Sequence, residues 1–248
     1  MLHIESYGNK CSPIKIVFLH GFLGSGLDWQ EVIFHLKEIY HCLTIDLPSH
    51  GKSPRTENTL LALEKTLSSF SPFILVGYSM GGRISLAYAN KNPDQITMAL
   101  IVSGHPGLSS KDSKQEREKG DLLWGEQLTT LSSDQFLKLW YEQSVFQSLT
   151  KKPVLLASIV EKRKMTDPEG LSQVLQELSL SKQPFYHSFL KPTYFFFGEE
   201  DEKYKNLYTS LAISNTVGIE KAGHVVHLEN PRLLATKIET LIQKEVHL

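Results

Sequence analysis

The chain has 248 residues, 41% of them hydrophobic, and a formal net charge of -1. This length can bury the core of one domain and leaves room for an insertion. The near-neutral charge argues against nucleic-acid binding, which needs a strongly basic face, and no apolar run approaches the ~18 residues of a membrane span. The cysteines, Cys11 and Cys42, are too few for a disulfide framework or a metal-ligand cluster. We therefore expect a cytoplasmic protein with no metal, cofactor, nucleic-acid partner or membrane contact, and we expect a monomer.

Strands and helices are predicted to alternate along the chain, as in a mostly parallel sheet with helices on both faces. Asp28 followed by Glu31 resembles an N-cap and its reciprocal partner at the start of the first helix. Between about residues 107 and 189 the alternation stops, and helical segments follow one another. We interpret that region as a helical lid inserted into a single domain spanning residues 1–248. The strands are expected near residues 14–19, 42–46, 73–76, 98–102, 193–197 and 214–219.

The first segment that carries chemistry follows the strand near residues 14–19. Its sequence, Phe-Leu-His-Gly-Phe-Leu-Gly at residues 18–24, predicts a loop whose Phe22 amide is one half of an oxyanion hole. The other half would be the amide of Met80, and losing one such donor typically costs ~3 kcal/mol of transition-state stabilisation. We expect His20 to hold this loop in place by hydrogen bonding.

A serine lies between two glycines in the segment Gly-Tyr-Ser-Met-Gly at residues 77–81. This five-residue match is weak alone, but it follows the predicted strand at 73–76 and precedes a helical pattern at 83–90. Glycine at both flanks permits the sharp strand-to-helix turn that presents a hydroxyl group. The pattern therefore predicts a nucleophile elbow with Ser79 at its tip.

A hydroxyl nucleophile needs a base and an orienting acid, which follow the serine in this architecture. Acids stand at residues 199–202, at the end of the predicted strand at 193–197, and a histidine ends the Ala-Gly-His segment at 222–224. We assign Ser79, Asp201 and His224 as a catalytic triad. Four segments in this order predict the α/β-hydrolase fold. The other acids that could meet the histidine are Glu199, Glu200 and Glu202.

Arginine is scarce in this lysine-rich chain, with only five among 26 basic residues. Its planar, bidentate fork suits carboxylate or phosphate better than lysine does. Arg83 follows Ser79 by one helical turn and could stand beside the hydroxyl, while Arg117 and Arg163 fall in the predicted lid. The alternative is that all three are solvated or bridge to nearby acids, such as Glu116 or Glu161.

Aromatic residues of the predicted lid could line a pocket beneath it, although packing between lid helices explains each of them taken singly. Two further histidines, His105 and His227, are most simply interpreted as residues that pack within loops. The aromatic residues in question are Trp124, Trp140, Tyr141 and Phe146.

Taken together, these motifs resemble one family, MenH, the 2-succinyl-6-hydroxy-2,4-cyclohexadiene-1-carboxylate synthases of menaquinone biosynthesis. The resemblance runs from the loop at His20 to the loop at His224. Its more specific parts are Gly-Gly-Arg at 81–83, His-Pro-Gly-Leu at 105–108, and Trp-Tyr at 140–141 followed by Val-Phe at 145–146. The family's spacing from Gly198 favours Asp201 as the acid of the triad.

The resemblance implies a lyase that eliminates pyruvate from 2-succinyl-5-enolpyruvyl-6-hydroxy-3-cyclohexene-1-carboxylate, with Ser79 removing a ring proton. It also implies that three arginines hold the carboxylates of this small polycarboxylate substrate. Two alternatives stay open from the residues: a serine hydrolase, such as a pimeloyl-carrier-protein methyl ester esterase or a carbon-carbon bond hydrolase, and a non-catalytic binding protein. The expected substrate-binding residues are Arg83, Arg117, Arg163, Tyr78, His20, Trp140, Tyr141 and Phe146.

Overall fold

One seven-stranded sheet organises the protein, and a computed structural model describes its residues 1–163 and 167–246. The strand order is β1-β3-β2-β4-β5-β6-β7, with β1 antiparallel to β3 and every other neighbouring pair parallel. The six predicted strands are confirmed, whereas the edge strand β1 was not predicted. The strands are β1 (Ile4–Gly8), β2 (Lys15–Leu19), β3 (His41–Ile45), β4 (Phe73–Tyr78), β5 (Ile96–Val102), β6 (Thr193–Gly198) and β7 (Thr216–Ile219).

The central strands are covered on both faces. Every residue of β4 is buried, and so is nearly every residue of β2 and β5. Continuous apolar runs of this kind are typical of parallel strands packed between two helical layers, because neither face of the strand meets water. Helices outside the segment between β5 and β6 are α1 (Gln30–Phe34), α2 (Thr59–Ser68), α3 (Met80–Lys91), α9 (Glu202–Ser210), α10 (Val226–Glu229) and α11 (Pro231–Glu245).

Between β5 and β6 the chain forms consecutive helices, and residues 107–163 and 167–189 contain no strand. The longest of these helices, α4 (Lys111–Thr130), packs along α8 (Pro168–Glu177). We call this segment the helical layer; its role as a lid stays a prediction. No helix in the described ranges is long and apolar enough to cross a membrane. The helical layer comprises α4 (Lys111–Thr130), α5 (Ser133–Tyr141), α6 (Gln147–Thr150), α7 (Pro153–Lys162) and α8 (Pro168–Glu177).

The start of the first helix differs from its prediction. Ser25, not Asp28, caps a 3-10 turn at Gly26–Trp29, and α1 continues from it. Asp28 lies inside this turn, where its carboxylate accepts a hydrogen bond from the Ser25 backbone N–H at 3.4 Å. The same carboxylate accepts a hydrogen bond from Arg163 at 2.9 Å. A tertiary ion pair therefore uses the side chain that the local pattern assigned to capping.

Candidate active site

Ser79 occupies a sharp turn between β4 and α3. Its backbone φ is 49° and ψ is -106°, a conformation that only glycine adopts without strain. A Cβ on Gly77 would lie 2.3 Å from the carbonyl oxygen of Gly81, and one on Gly81 would lie 2.4 Å from that of Leu19. Glycine is thus required because the turn brings β2, β4 and α3 into backbone contact.

The side chains of the assigned triad lie together at the carboxyl ends of the strands. His224 Nε2 is 3.4 Å from Ser79 Oγ, and His224 Nδ1 is 2.8 Å from Asp201 Oδ2. Asp201 and His224 are both buried. Because the carboxylate can only accept at Nδ1, the neutral imidazole carries its proton there and leaves Nε2 to accept the proton of the serine. Of the acids at residues 199–202, Asp201 is the one whose carboxylate contacts His224.

Two backbone amides flank the serine, those of Phe22 and Met80. Neither amide donates a hydrogen bond to another atom in the described part of the chain. His20 Nδ1 donates to the Gly21 carbonyl at 2.7 Å, and Nε2 accepts from the Leu47 N–H at 2.9 Å. His20 therefore fixes the loop that carries the Phe22 amide. Both ring nitrogens of His20 are occupied and His20 is not among the residues that line the cavity beside Ser79, so its substrate-binding role stays a prediction.

A small cavity of about 30 Å³ opens beside the serine. Tyr78 and Ser79 both line it. Trp124 does not line the cavity but packs on Trp140, which does, with ring centroids 5.0 Å apart. Space of this size holds only a few water molecules. The described residues that line the cavity are Phe22, Tyr78, Ser79, Trp140, Tyr141, Phe146, Ile159, Arg163 and Val225.

Aromatic side chains of the helical layer reach both the imidazole of His224, the predicted base, and the loop at residues 20–24, which we call the oxyanion loop after its predicted role. The Trp140 ring lies 5.1 Å from that of Phe22, and the Phe146 ring meets His224 edge-on at 5.8 Å. Tyr141 packs on Phe146 at 5.1 Å. These contacts exclude water from one side of the imidazole. Trp140, Tyr141 and Phe146 also line the cavity, so each of them both packs within the layer and lines the pocket.

Arg163 is the predicted arginine that shares the cavity with Ser79. It is buried at the end of α7, where Nη1 donates to Asp28 at 2.9 Å and Nε donates to the Tyr141 hydroxyl at 3.1 Å. Burial alone would lower the pKa of Arg163, but the negative charge of Asp28 outweighs that effect and raises it. The guanidinium is therefore charged and held in one direction, and its partner is Asp28 rather than an acid near it in sequence.

Arg83 and Arg117 are not among the residues that line this cavity. Arg83 Nη1 donates to the Leu178 carbonyl at 2.7 Å, and no carboxylate of the described residues lies within 4 Å of its guanidinium. Burial and the nearby charge of Arg117 lower the pKa of Arg83 to about 10. Arg117 pairs with Asp121 at 2.9 Å. The predicted convergence of three arginines on the serine is thus not observed in this conformation.

Two residues that the sequence did not single out contact the base or its loop. The Tyr204 ring contacts that of His224 at a tilt of 45° with ring centroids 4.8 Å apart, and Tyr204 is close enough to Arg83 and Arg117 for them to influence its pKa. The buried carboxylate of Glu229 accepts hydrogen bonds from the Val225 N–H at 3.1 Å and from Lys152 Nζ at 2.7 Å. Glu229 thereby ties the loop of His224 to the helical layer.

Three neutral histidines are buried around the site. Burial, the largest influence in each case, lowers the pKa of His20 to about 4 and those of His50 and His227 to about 3. The His227 ring lies between Trp29 at 4.7 Å and Tyr78 at 4.2 Å, and neither of its nitrogens has a partner in the described ranges. Its packing role was the one expected, although it lies in α10 and not in a loop.

The lowered pKa values of these histidines predict that acid destabilises the fold. An unfolded histidine binds a proton near pH 6.5, whereas the folded ones stay neutral down to about pH 3 or 4. The unfolded state therefore binds more protons in this window, and each histidine removes up to about 1.4 kcal/mol of stability for every pH unit. We expect urea unfolding to show a smaller loss between pH 7 and pH 5 in His227→Leu than in the wild type. Equal losses of stability in His227→Leu and the wild type would exclude His227 as a source of the acid sensitivity.

Comparisons with known proteins identify the family of the chain. The sequence profile of the alpha/beta hydrolase fold family matches residues 15–231. The chain is 34% identical over 242 residues to the 2-succinyl-6-hydroxy-2,4-cyclohexadiene-1-carboxylate synthase of Escherichia coli O1:K1 / APEC, covering 93% of this chain and 94% of that protein. It is 32% identical over 244 residues to the synthase of the same name from Enterobacter sp. (strain 638), covering 93% and 92%.

Among solved structures, MenH from S. aureus matches with a TM-score of 0.90 and 27% identity, covering 100% of both chains. These matches confirm the predicted fold class and the predicted resemblance. The described residues include no group of three or more His, Cys, Asp or Glu side chains that could hold a metal ion. The chain is an enzyme of the α/β-hydrolase fold and belongs to the MenH family of 2-succinyl-6-hydroxy-2,4-cyclohexadiene-1-carboxylate synthases.

Proposed function

We propose that this protein is a lyase that eliminates pyruvate from 2-succinyl-5-enolpyruvyl-6-hydroxy-3-cyclohexene-1-carboxylate. The observation that carries the proposal is the aligned set of Ser79, His224 and Asp201 beside a cavity that also contains the buried, charged Arg163. A cation in that position suits a polycarboxylate and has no evident use for a neutral ester. We also propose that the enzyme acts as a cytoplasmic monomer without a cofactor.

The serine acts as a base in this reaction. As Ser79 Oγ takes the proton from the ring carbon that carries the succinyl group, its own proton passes to His224 Nε2, and Asp201 stabilises the imidazolium. The electron pair left on the ring carbon spreads to the adjacent ketone oxygen. The free amides of Phe22 and Met80 are the donors for that developing charge.

Loss of the leaving group completes the elimination. The electron pair returns from the ketone oxygen, shifts the ring double bond by one position and breaks the bond between ring carbon and enolpyruvyl oxygen. The departing enolate recovers a proton from His224 through Ser79 and becomes pyruvate. The ring gains a second double bond, and the protein ends in its starting protonation state.

Substrate binding requires the helical layer to move, because a cavity of about 30 Å³ cannot hold a six-membered ring with three carboxylates. We propose that this layer is the lid. Arg83 and Arg117 lie close enough to Tyr204 to influence its pKa, and the Tyr204 ring contacts His224. A rearrangement that exposes Tyr204 would bring these two cations to the substrate, where they would help to align the proton and the leaving group.

A second candidate is a serine hydrolase, which the same triad and the same free amides favour. In that reaction Ser79 attacks a carbonyl carbon and forms an acyl-enzyme, whereas in the lyase the serine is never acylated. Incubation with the enolpyruvyl substrate while pyruvate is measured, alongside a panel of short-chain esters, separates the two. Rapid pyruvate release with slow ester turnover supports the lyase, and the reverse ranking supports the hydrolase.

Arg83→Gln tests the proposed contact with a carboxylate. We expect it to lower kcat/KM for pyruvate release by about 10- to 100-fold, the range for losing a charge-assisted hydrogen bond. Hydrolysis of a neutral nitrophenyl ester should change by less than about three-fold, because no carboxylate is bound in that reaction. Arg55→Gln is the matched control, since Arg55 donates to Gln173 at the exposed surface. Equal losses in the two assays would refute the contact.

A further inference from the structure

We propose that Asp28 is a positioning residue that sets the direction of the Arg163 guanidinium, and that it thereby controls binding of a substrate carboxylate; this rests on the proposed function. Asp28 touches neither the cavity nor the triad. Its effect on the reaction would pass through Arg163, whose Nη1 donates a hydrogen bond to the Asp28 carboxylate at 2.9 Å.

The position of Asp28 is itself tightly constrained. A Cβ on Gly24 would lie 2.6 Å from Asp28 Oδ2, so the carboxylate packs directly on the backbone of the oxyanion loop. The Ser25 N–H donates to the same oxygen at 3.4 Å. Oδ1 therefore points away from the loop, toward Arg163. The side chains of Asp28 and Arg163 are only 5% and 6% exposed, so water does not compete for this contact.

The remaining donors of Arg163 are suited to a ligand. A guanidinium has five N–H groups, of which Nε donates to the Tyr141 hydroxyl and one on Nη1 donates to Asp28. The other N–H of Nη1 and both on Nη2 have no partner in the described ranges. Because the guanidinium is planar, two fixed contacts determine where these three donors point. Arg163 and Tyr141 both line the cavity, so a carboxylate there would meet a preset fork.

Charge gives Asp28 a second effect on the same group. Burial alone would raise the pKa of Asp28, but the charge and hydrogen bonds of Arg163 outweigh it and lower that pKa. The pair is thus ionised on both sides. Arg163 can remain charged although it is buried because Asp28 balances it, and it is ready to bind an anion without first changing its protonation state.

The test uses 2-succinylbenzoate, an aromatic dicarboxylate with the carbon skeleton of the lyase product. Its dissociation constant is measured by calorimetry for the wild type, Asp28→Asn, Arg163→Gln and the double variant. We expect about ten-fold weaker binding in Asp28→Asn and in Arg163→Gln. The double variant should match Arg163→Gln within about two-fold, because a residue that acts only through Arg163 has no effect once Arg163 is gone.

Pyruvate release supplies an independent readout. Asp28→Asn should raise KM by about ten-fold while kcat changes less than about three-fold, since the proton-transfer groups are untouched. Glu64→Gln is the control: it also removes a carboxylate that pairs with a lysine, here Lys91 at the end of α3 remote from Ser79, and it should leave dicarboxylate binding within about two-fold. Equal weakening in both variants would mean that a general loss of stability, rather than Arg163, accounts for the loss.

Removal of one buried charge can prevent folding, so Asp28→Glu is the second variant. It keeps the charge but displaces the carboxylate by one methylene, and we expect a raised dissociation constant with a circular dichroism spectrum like that of the wild type. Unchanged binding in Asp28→Glu or Asp28→Asn would overturn the inference. So would an additive loss in the double variant, or no binding of the dicarboxylate by the wild type. The calorimetry does not depend on turnover, so absence of pyruvate release would refute the proposed function separately.

Discussion

Replacing Ser79 with alanine is expected to lower kcat for pyruvate release by about 10³-fold or more, because it removes the oxygen that takes the ring proton. His224 cannot substitute for it. Its Nε2 lies 3.4 Å from Ser79 Oγ, and Phe146 packs against its ring, so the imidazole would have to leave Asp201 to reach the substrate. Pyruvate can be followed by its reduction with lactate dehydrogenase.

Binding separates a chemical role from a structural one. The dissociation constant of 2-succinylbenzoate should stay within about three-fold of the wild type in Ser79→Ala, because Arg163 and its partners are not altered. Wild-type turnover in this variant would remove the serine from the mechanism. Mass spectrometry of the wild type during turnover is a further check, since an acylated serine would support the hydrolase and an unmodified one supports the elimination.

Local patterns in the sequence were sufficient for the sheet and for the order of the catalytic segments. The strands β2 to β6 are short, mostly apolar and mostly buried runs with turn signals beside them, a pattern typical of strands in a parallel sheet. Ser79 could be placed because the motif that marks it is local: Gly77 and Gly81 lie two residues either side of it, although the contact that excludes a Cβ at Gly81 is with Leu19 of β2. The edge strand β1 was not predicted because its residues alternate between partly buried and exposed and form no apolar run.

The partners of the arginines could not be predicted in this way. Asp28 and Arg163 are 135 positions apart and meet only because the helical layer folds back over the oxyanion loop. Local spacing suggested that Asp28 is the N-cap of a helix, whereas its carboxylate accepts one hydrogen bond from the Ser25 N–H and another from the distant Arg163. Arg83 illustrates the same limit, since its position one turn after Ser79 fixes its Cα but not the direction of a long side chain. It turns to the carbonyl of Leu178.

Asp201→Asn is expected to lower kcat for pyruvate release by about 10³- to 10⁴-fold with little loss of stability, because it inverts the hydrogen bond to His224. Asp201 Oδ1 accepts from the Tyr204 N–H at 3.1 Å and so caps α9, a bond that the amide oxygen of asparagine would keep. The amide NH₂ would then face His224 Nδ1 and donate to it. That forces the imidazole proton onto Nε2, which can no longer accept the proton of Ser79. A melting temperature within a few degrees of the wild type, together with the activity loss, would confirm this tautomer change, and more than about a tenth of wild-type activity would contradict it.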